Sequence, residues 1–293
     1  MTGWVICVLL VGWTESIKAQ GPLTRSAIAL AEAGQLEDAE YKLAAAMAGP
    51  EAQDAMTWYV HAFVLKERYI AEGRRPESNL RQQSLASAKA CIQRDSNGEL
   101  SRWTTPLLEF LAESHLDDVK AAISASSPDS PPSALNQFAA YSDVQAVLTP
   151  NWNEDAEWVL MNQQIGEKAM REAERLEKMG AGPWFAMGVH HYSIAAQRTT
   201  DQERSLFNLA VHTYNQGVRE FKAAEDDLDA VDAALRQAAE HWQKASDLLD
   251  ATIEKEPENP KAYEALAIVS TALLNQDRIN WCKDHIRELR GGE

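Results

Sequence analysis

His190 and His191 come nearest, by type and spacing, to residues that could do chemistry in this 293-residue chain. Two imidazoles can share a metal only if both rings reach one point. The stretch WFAMGVHHY around them reads as helix, and neighbours on a helix point about 100° apart, so they make poor joint ligands. They read as packing or surface residues. Glu225, Asp226, Asp227, Asp229 and Asp232 gather carboxylates but lack the alternating loop ligands and the glycine of a calcium hand. At the start of a helix their charge suits the dipole, so they read as a solvated capping turn. Gly180-Ala-Gly182 follows a helix and has no third glycine in place, which makes it a cap, not a dinucleotide fingerprint. No P-loop, Gly-x-Ser-x-Gly elbow, Cys-x-x-Cys pair or His-Glu-x-x-His is present in the sequence. The expectation is a protein with no catalytic residues, no metal site and no cofactor.

Charge narrows the partners. Aspartate and glutamate number 44 against 28 lysines and arginines, a formal net charge of −16. That disfavours nucleic acid, which needs a phosphate-neutralising surface, and direct docking on an anionic membrane. A hydrophobic content of 45% is that of a folded globular protein. Of three cysteines, Cys91 and Cys282 fall on apolar helix faces and read as small buried hydrophobes, not as a disulfide framework.

The chain opens MTGWVICVLLVGWTESIKAQG. Its apolar stretch from Trp4 to Trp13 has the length of a signal-peptide hydrophobic region and is too short to span a bilayer. Ala19 suits a cleavage point before Gln20, although no basic residue precedes the apolar stretch. Residues 1–20 are therefore an export signal-like segment, and the expected location is the periplasm or cell envelope. A cytoplasmic protein, or one anchored by an uncleaved N-terminus, is the alternative.

The elements that must position any site are helices. Alanine and glutamate are abundant, and no run of alternating β-branched residues suggests sheet. In LEDAEYKLAAAM, Leu36, Ala39, Leu43 and Ala46 recur at three-and-four spacing, the apolar face of a helix. Breaks at Gly34, Gly49-Pro50, Gly73 to Pro76 and Asp95 to Gly98 divide residues 21–98 into two helical hairpins. A third hairpin is expected to turn near Ser114, where SHLDDVKAAI lies over GQLEDAEYKL and brings Trp103 and Phe110 to aromatic positions of its leading helix. SASSPDSPPS, from Ser124, cannot continue a helix and opens a Pro/Ser-rich linker over 126–150 that carries a short helix. Residues 151–293 hold further long helices whose pairing the sequence leaves open, since Trp184 fits either helix of a pair.

The most regular stretch is ASDLLDATIEKEPENPKAYEALAIVSTALL, from Ala245 to Leu274. Its Pro257-Glu-Asn-Pro260 punctuation ends one amphipathic helix and starts another, because helix interiors reject proline. This segment resembles a tetratricopeptide repeat, and residues 21–125 and 151–293 resemble degenerate copies. The resemblance implies an all-α fold, a right-handed superhelix of stacked antiparallel helical hairpins. It also implies a non-enzymatic scaffold or adaptor that engages a protein or peptide through a groove lined by leading helices. Carried onto this chain, the groove positions are Met56, Tyr59, Phe63 and Lys66 in the second repeat, with Thr104, Leu108 and Leu111 in the third. Tyr59, Phe63, Thr104 and Leu108 stand where some repeats clamp a terminal carboxylate with basic residues and asparagine, so that clamp is not expected. Self-association as a structural subunit, through the same apolar stripes, is the other reading.

Overall fold

The structure, a computed structural model, describes residues 21–130, 134–176, 181–198, 202–224 and 228–291. The export-like segment, the prolines at 131–132 and most of the acidic run after Ala224 lie outside the described residues. The described residues form an all-α protein with no strand beyond an isolated bridge between Ser127 and Ser130. The helices are α1 (Pro22–Glu32), α2 (Leu36–Met47), α3 (Ala55–Ala71), α4 (Leu80–Arg94), α5 (Ser101–Ala125), α6 (Ala134–Leu148), α7 (Glu154–Arg175), α8 (Ala181–Arg198), α9 (Gln202–Ala223), α10 (Leu228–Lys255), α11 (Pro260–Ala272) and α12 (Gln276–Leu289). No helix among them is long and apolar enough to cross a membrane.

Helix starts follow the sequence punctuation. Asp54, Asn153, Asn259 and Asn275 each cap the following helix by accepting a backbone N–H, from Met56, Ala156, Lys261 and Arg278 respectively. At α1 the cap comes from elsewhere in the chain. Glu51, on the 3₁₀ turn Pro50–Gln53, accepts from the backbone of Leu23 at 3.0 Å and of Thr24 at 2.9 Å, and from the Thr24 hydroxyl. Burial pushes the Glu51 carboxyl up, but these hydrogen bonds bring it net below its ordinary value.

Two compact units emerge. Unit 1 takes the described residues within Met1–Ala122 and Ser133–Trp152, and unit 2 those within Ile123–Pro132 and Asn153–Glu293. In unit 1, α1 pairs with α2 and α3 with α4, and α2 joins the two hairpins by packing on α3. The expected turn at Ser114 is not there, because α5 runs unbroken from Ser101 to Ala125. Serine is no breaker, and Pro106 falls early enough to forfeit little more than the bond to the Arg102 carbonyl. In unit 2 the open pairing resolves: α7 packs on α8, α9 on α10 and α11 on α12. Trp184 thus belongs to the second helix of its pair. Ala181-Gly-Pro183 starts α8, with proline in the first turn where its missing donor costs little.

Apolar cores run across hairpin boundaries in unit 2. One joins Met170, Phe185, Tyr192 and Leu209 of α7, α8 and α9, and another joins Ala210, Trp242, Leu249, Leu266 and Cys282 of α9 to α12. Gly217 permits the close crossing of α9 and α10, since a Cβ there would lie 2.9 Å from the Ala238 carbonyl. Between α10 and α11 the chain turns at Pro257 to Pro260 as the punctuation predicts, and the Tyr263 hydroxyl donates to the Pro257 carbonyl at 3.1 Å.

Candidate functional site

The seven groove positions are brought together in unit 1, but not as an open surface. Six of them, Met56, Tyr59, Phe63, Thr104, Leu108 and Leu111, are buried, each at 6% exposure or less. Tyr59 stacks on Trp103 with ring centroids 5.9 Å apart, linking α3 to α5. Lys66 lies with its ammonium 4.7 Å from the Phe63 ring and 5.5 Å from Phe110, and 2.5 Å from Glu67. Thr104 spends its hydroxyl on the Leu100 carbonyl at 3.1 Å. The physical reason is legible in α3: its run MTWYVHAFVL has no continuous polar face, and a helix apolar nearly all round is a buried one. These side chains hold unit 1 together and present little of themselves to a partner.

A polar cluster that the sequence reading missed lies beside them. Arg81, 1% exposed, donates to the Ser114 hydroxyl at 3.1 Å and to the Pro76 carbonyl at 3.0 Å. Its second terminal nitrogen lies 2.6 Å from Asp118, an ion pair without hydrogen-bond geometry. The Tyr69 ring lies 4.9 Å from the guanidinium, and the Tyr69 hydroxyl bonds Ser114 at 3.0 Å. Neighbouring His115 is buried, and burial followed by the Arg81 charge lowers its pKa to about 4. Ser114, His115 and Asp118 make no catalytic relay, because consecutive helix residues diverge and Ser114 is committed to Arg81 and Tyr69. The cluster ties α5 to α4 and the end of α3.

His190 and His191 also divide as expected of helix neighbours. His191 is buried and its Nδ1 bonds the Asn162 side chain at 2.9 Å, while His190 is exposed. Burial, then the charge of His190, lowers the His191 pKa to about 4. No cluster of three histidine, cysteine or acidic side chains that could hold a metal occurs among the described residues. Cys91 and Cys282 are free thiols inside the core, and burial pushes Cys91 up to about 12, so it remains an unreactive thiol.

Two features of unit 2 face outward. A cavity of about 450 Å³ opens between the start of α8 and the end of α9, walled by Phe185, Gln216, Arg219 and Lys222 among others. On the last hairpin, Ile268 is 56% exposed and Leu274 90% exposed, and Leu274 holds a left-handed backbone with φ of 56°. No protein-family model matches this chain, and no curated protein matches it.

Proposed function

We propose that the chain is a tetratricopeptide-like scaffold, a right-handed stack of antiparallel hairpins that binds a protein or peptide partner and performs no chemistry itself. The reading rests on the regular Pro257 to Pro260 turn between α10 and α11 and on cores shared between successive hairpins of unit 2, the way repeat arrays bury stripes too wide for one hairpin. An exported, envelope-associated adaptor fits the N-terminal sequence and the acidic balance.

The observation that carries partner binding is Leu274. A leucine in left-handed backbone costs roughly 1–2 kcal/mol relative to glycine, and exposing its side chain forgoes the burial that would stabilise the fold. Strain of this kind collects where function needs it. Ile268 on the outward side of α11 and Leu274 after its end give the last hairpin two exposed apolar side chains, an edge that would take a hydrophobic side chain of the partner.

The test is capture of partners from the source cells on immobilised full-length chain, with the bound proteins identified and then titrated as purified components. Ile268→Glu combined with Leu274→Glu is expected to weaken the titrated complex tenfold or more. Tyr41→Glu, at another exposed position on α2, is expected to leave it unchanged. Equal binding by both variants would overturn the assignment of this edge. Light scattering that shows a dimer dispersed by Ile268→Glu would turn the reading to self-association.

A further inference from the structure

The cavity at the start of α8 and the end of α9 carries charged side chains in its wall. At about 450 Å³ it lies within the range of small-molecule sites. Ala181 and Phe185 supply apolar wall, while Gln216, Arg219, Glu220 and Lys222 supply the polar part. Most of that polar part is already satisfied. The Gln216 side-chain amide donates to one oxygen of Glu220 at 3.1 Å, and His241 Nε2 lies 3.1 Å from the other.

Arg219 is the exception. Its guanidinium carbon lies 4.1 Å from the Phe185 ring centroid, and its Nη1 is buried with no hydrogen-bond partner. Glu174 acts on it only from beyond ion-pair distance. The buried Nη1 is closed off from the cavity, so what Arg219 presents there is the rest of a half-buried side chain. Contact with an aromatic ring holds the guanidinium, whose N–H fork matches the two oxygens of a carboxylate. Lys222, exposed at the rim, adds a second positive charge, and the start of α8 adds the positive end of its dipole. Glu220 in the same wall disfavours a doubly charged anion such as phosphate.

We infer that this cavity binds a small monocarboxylate with an apolar body, the carboxylate on Arg219 and the body along Phe185 and Ala181. The site is separate from the edge assigned to the protein partner, so failure of one reading leaves the other standing.

Isothermal titration of the full chain with octanoate and with 4-phenylbutyrate tests this, with octanamide as the neutral counterpart. At least one acid is expected to bind saturably at one site, tenfold or more tighter than octanamide, and to raise the melting temperature. Arg219→Met keeps the apolar stem and should weaken that acid tenfold or more, while Lys222→Gln should weaken it a few fold. Absence of saturable binding by both acids, or equal binding of acid and amide, overturns the proposal. Unchanged acid binding by a folded Arg219→Met protein overturns it as well. Should Arg219→Met fail to fold, the acid-to-amide ratio and Lys222→Gln decide the matter in the same way.

Discussion

Arg81 shows what a single residue contributes to this fold. The chain must satisfy a guanidinium at 1% exposure, and it does so with Ser114, the Pro76 carbonyl, Asp118 and the Tyr69 ring. Removing one partner of a buried ion pair leaves the other uncompensated, which costs about 3–5 kcal/mol. Arg81→Ala is therefore expected to lose stability on that scale in urea denaturation. Replacing both charges, as Arg81→Met with Asp118→Leu, should cost distinctly less than Arg81→Ala alone, because no buried charge is then stranded. Equal losses would mean that packing of the arginine stem, not its charge, holds α4 and α5 together. None of this was legible beforehand. Arg81 follows a turn, Ser114 and Asp118 lie more than thirty residues on, and no local pattern marks a pair made only by folding.

At the scale of elements, the two best hairpin turns have one construction and differ at one position. After α1 the Gln35 N–H reaches the Leu30 carbonyl and Gly34 holds φ of 76°; after α11 the Asn275 N–H reaches the Ser270 carbonyl and Leu274 holds φ of 56°. A Cβ on Gly34 would meet nothing within 4 Å, so the cost of a side chain there is backbone strain alone. Gly34→Ala is expected to destabilise by about 1 kcal/mol and Leu274→Gly to stabilise by a similar amount, both read from urea midpoints. Leu274→Gly should also weaken the proposed partner complex, a pairing of gain and loss that a merely tolerated leucine would not produce. Turn chemistry of this kind is written in neighbouring residues, which is why the breaks at Gly34, Gly73 and Pro257 to Pro260 were legible. Serine alone does not interrupt a helix, and at Ser114 the alignment that suggested a turn matched apolar spacing which one long helix satisfies equally well. The burial of six groove positions was not legible for a related reason. Motif spacing says which side of a helix a residue occupies, and only packing says whether that side is covered.

At the scale of the whole molecule, two opposing electrostatic effects meet as pH falls. With a net charge of −16 and an isoelectric point near 4.9, acidification from pH 7 to 5 removes most of the self-repulsion and favours the compact state. The histidines act the other way. His115 in unit 1 and His191 and His212 in unit 2 all have pKa values lowered to about 4 from an ordinary 6.5. Burial is the first cause for each, followed by Arg81, His190 and Arg219 respectively. Between pH 6.5 and 4 the unfolded chain takes up protons that the folded chain refuses, so stability present above 6.5 drains away through that window. Each histidine contributes a slope of up to about 1.4 kcal/mol per pH unit, or about 1–2 kcal/mol over pH 7 to 5. Self-repulsion is spread over the surface and screened beyond about 8 Å at 0.15 M salt, whereas the buried imidazoles are not. The histidines should therefore prevail: in 150 mM NaCl the urea midpoint is expected to be lower at pH 5.0 than at pH 7.0. Dropping the salt to about 10 mM strengthens repulsion at pH 7 and should narrow the gap. A midpoint that rises toward pH 5 in 150 mM salt would show that relief of surface charge outweighs protonation of the core.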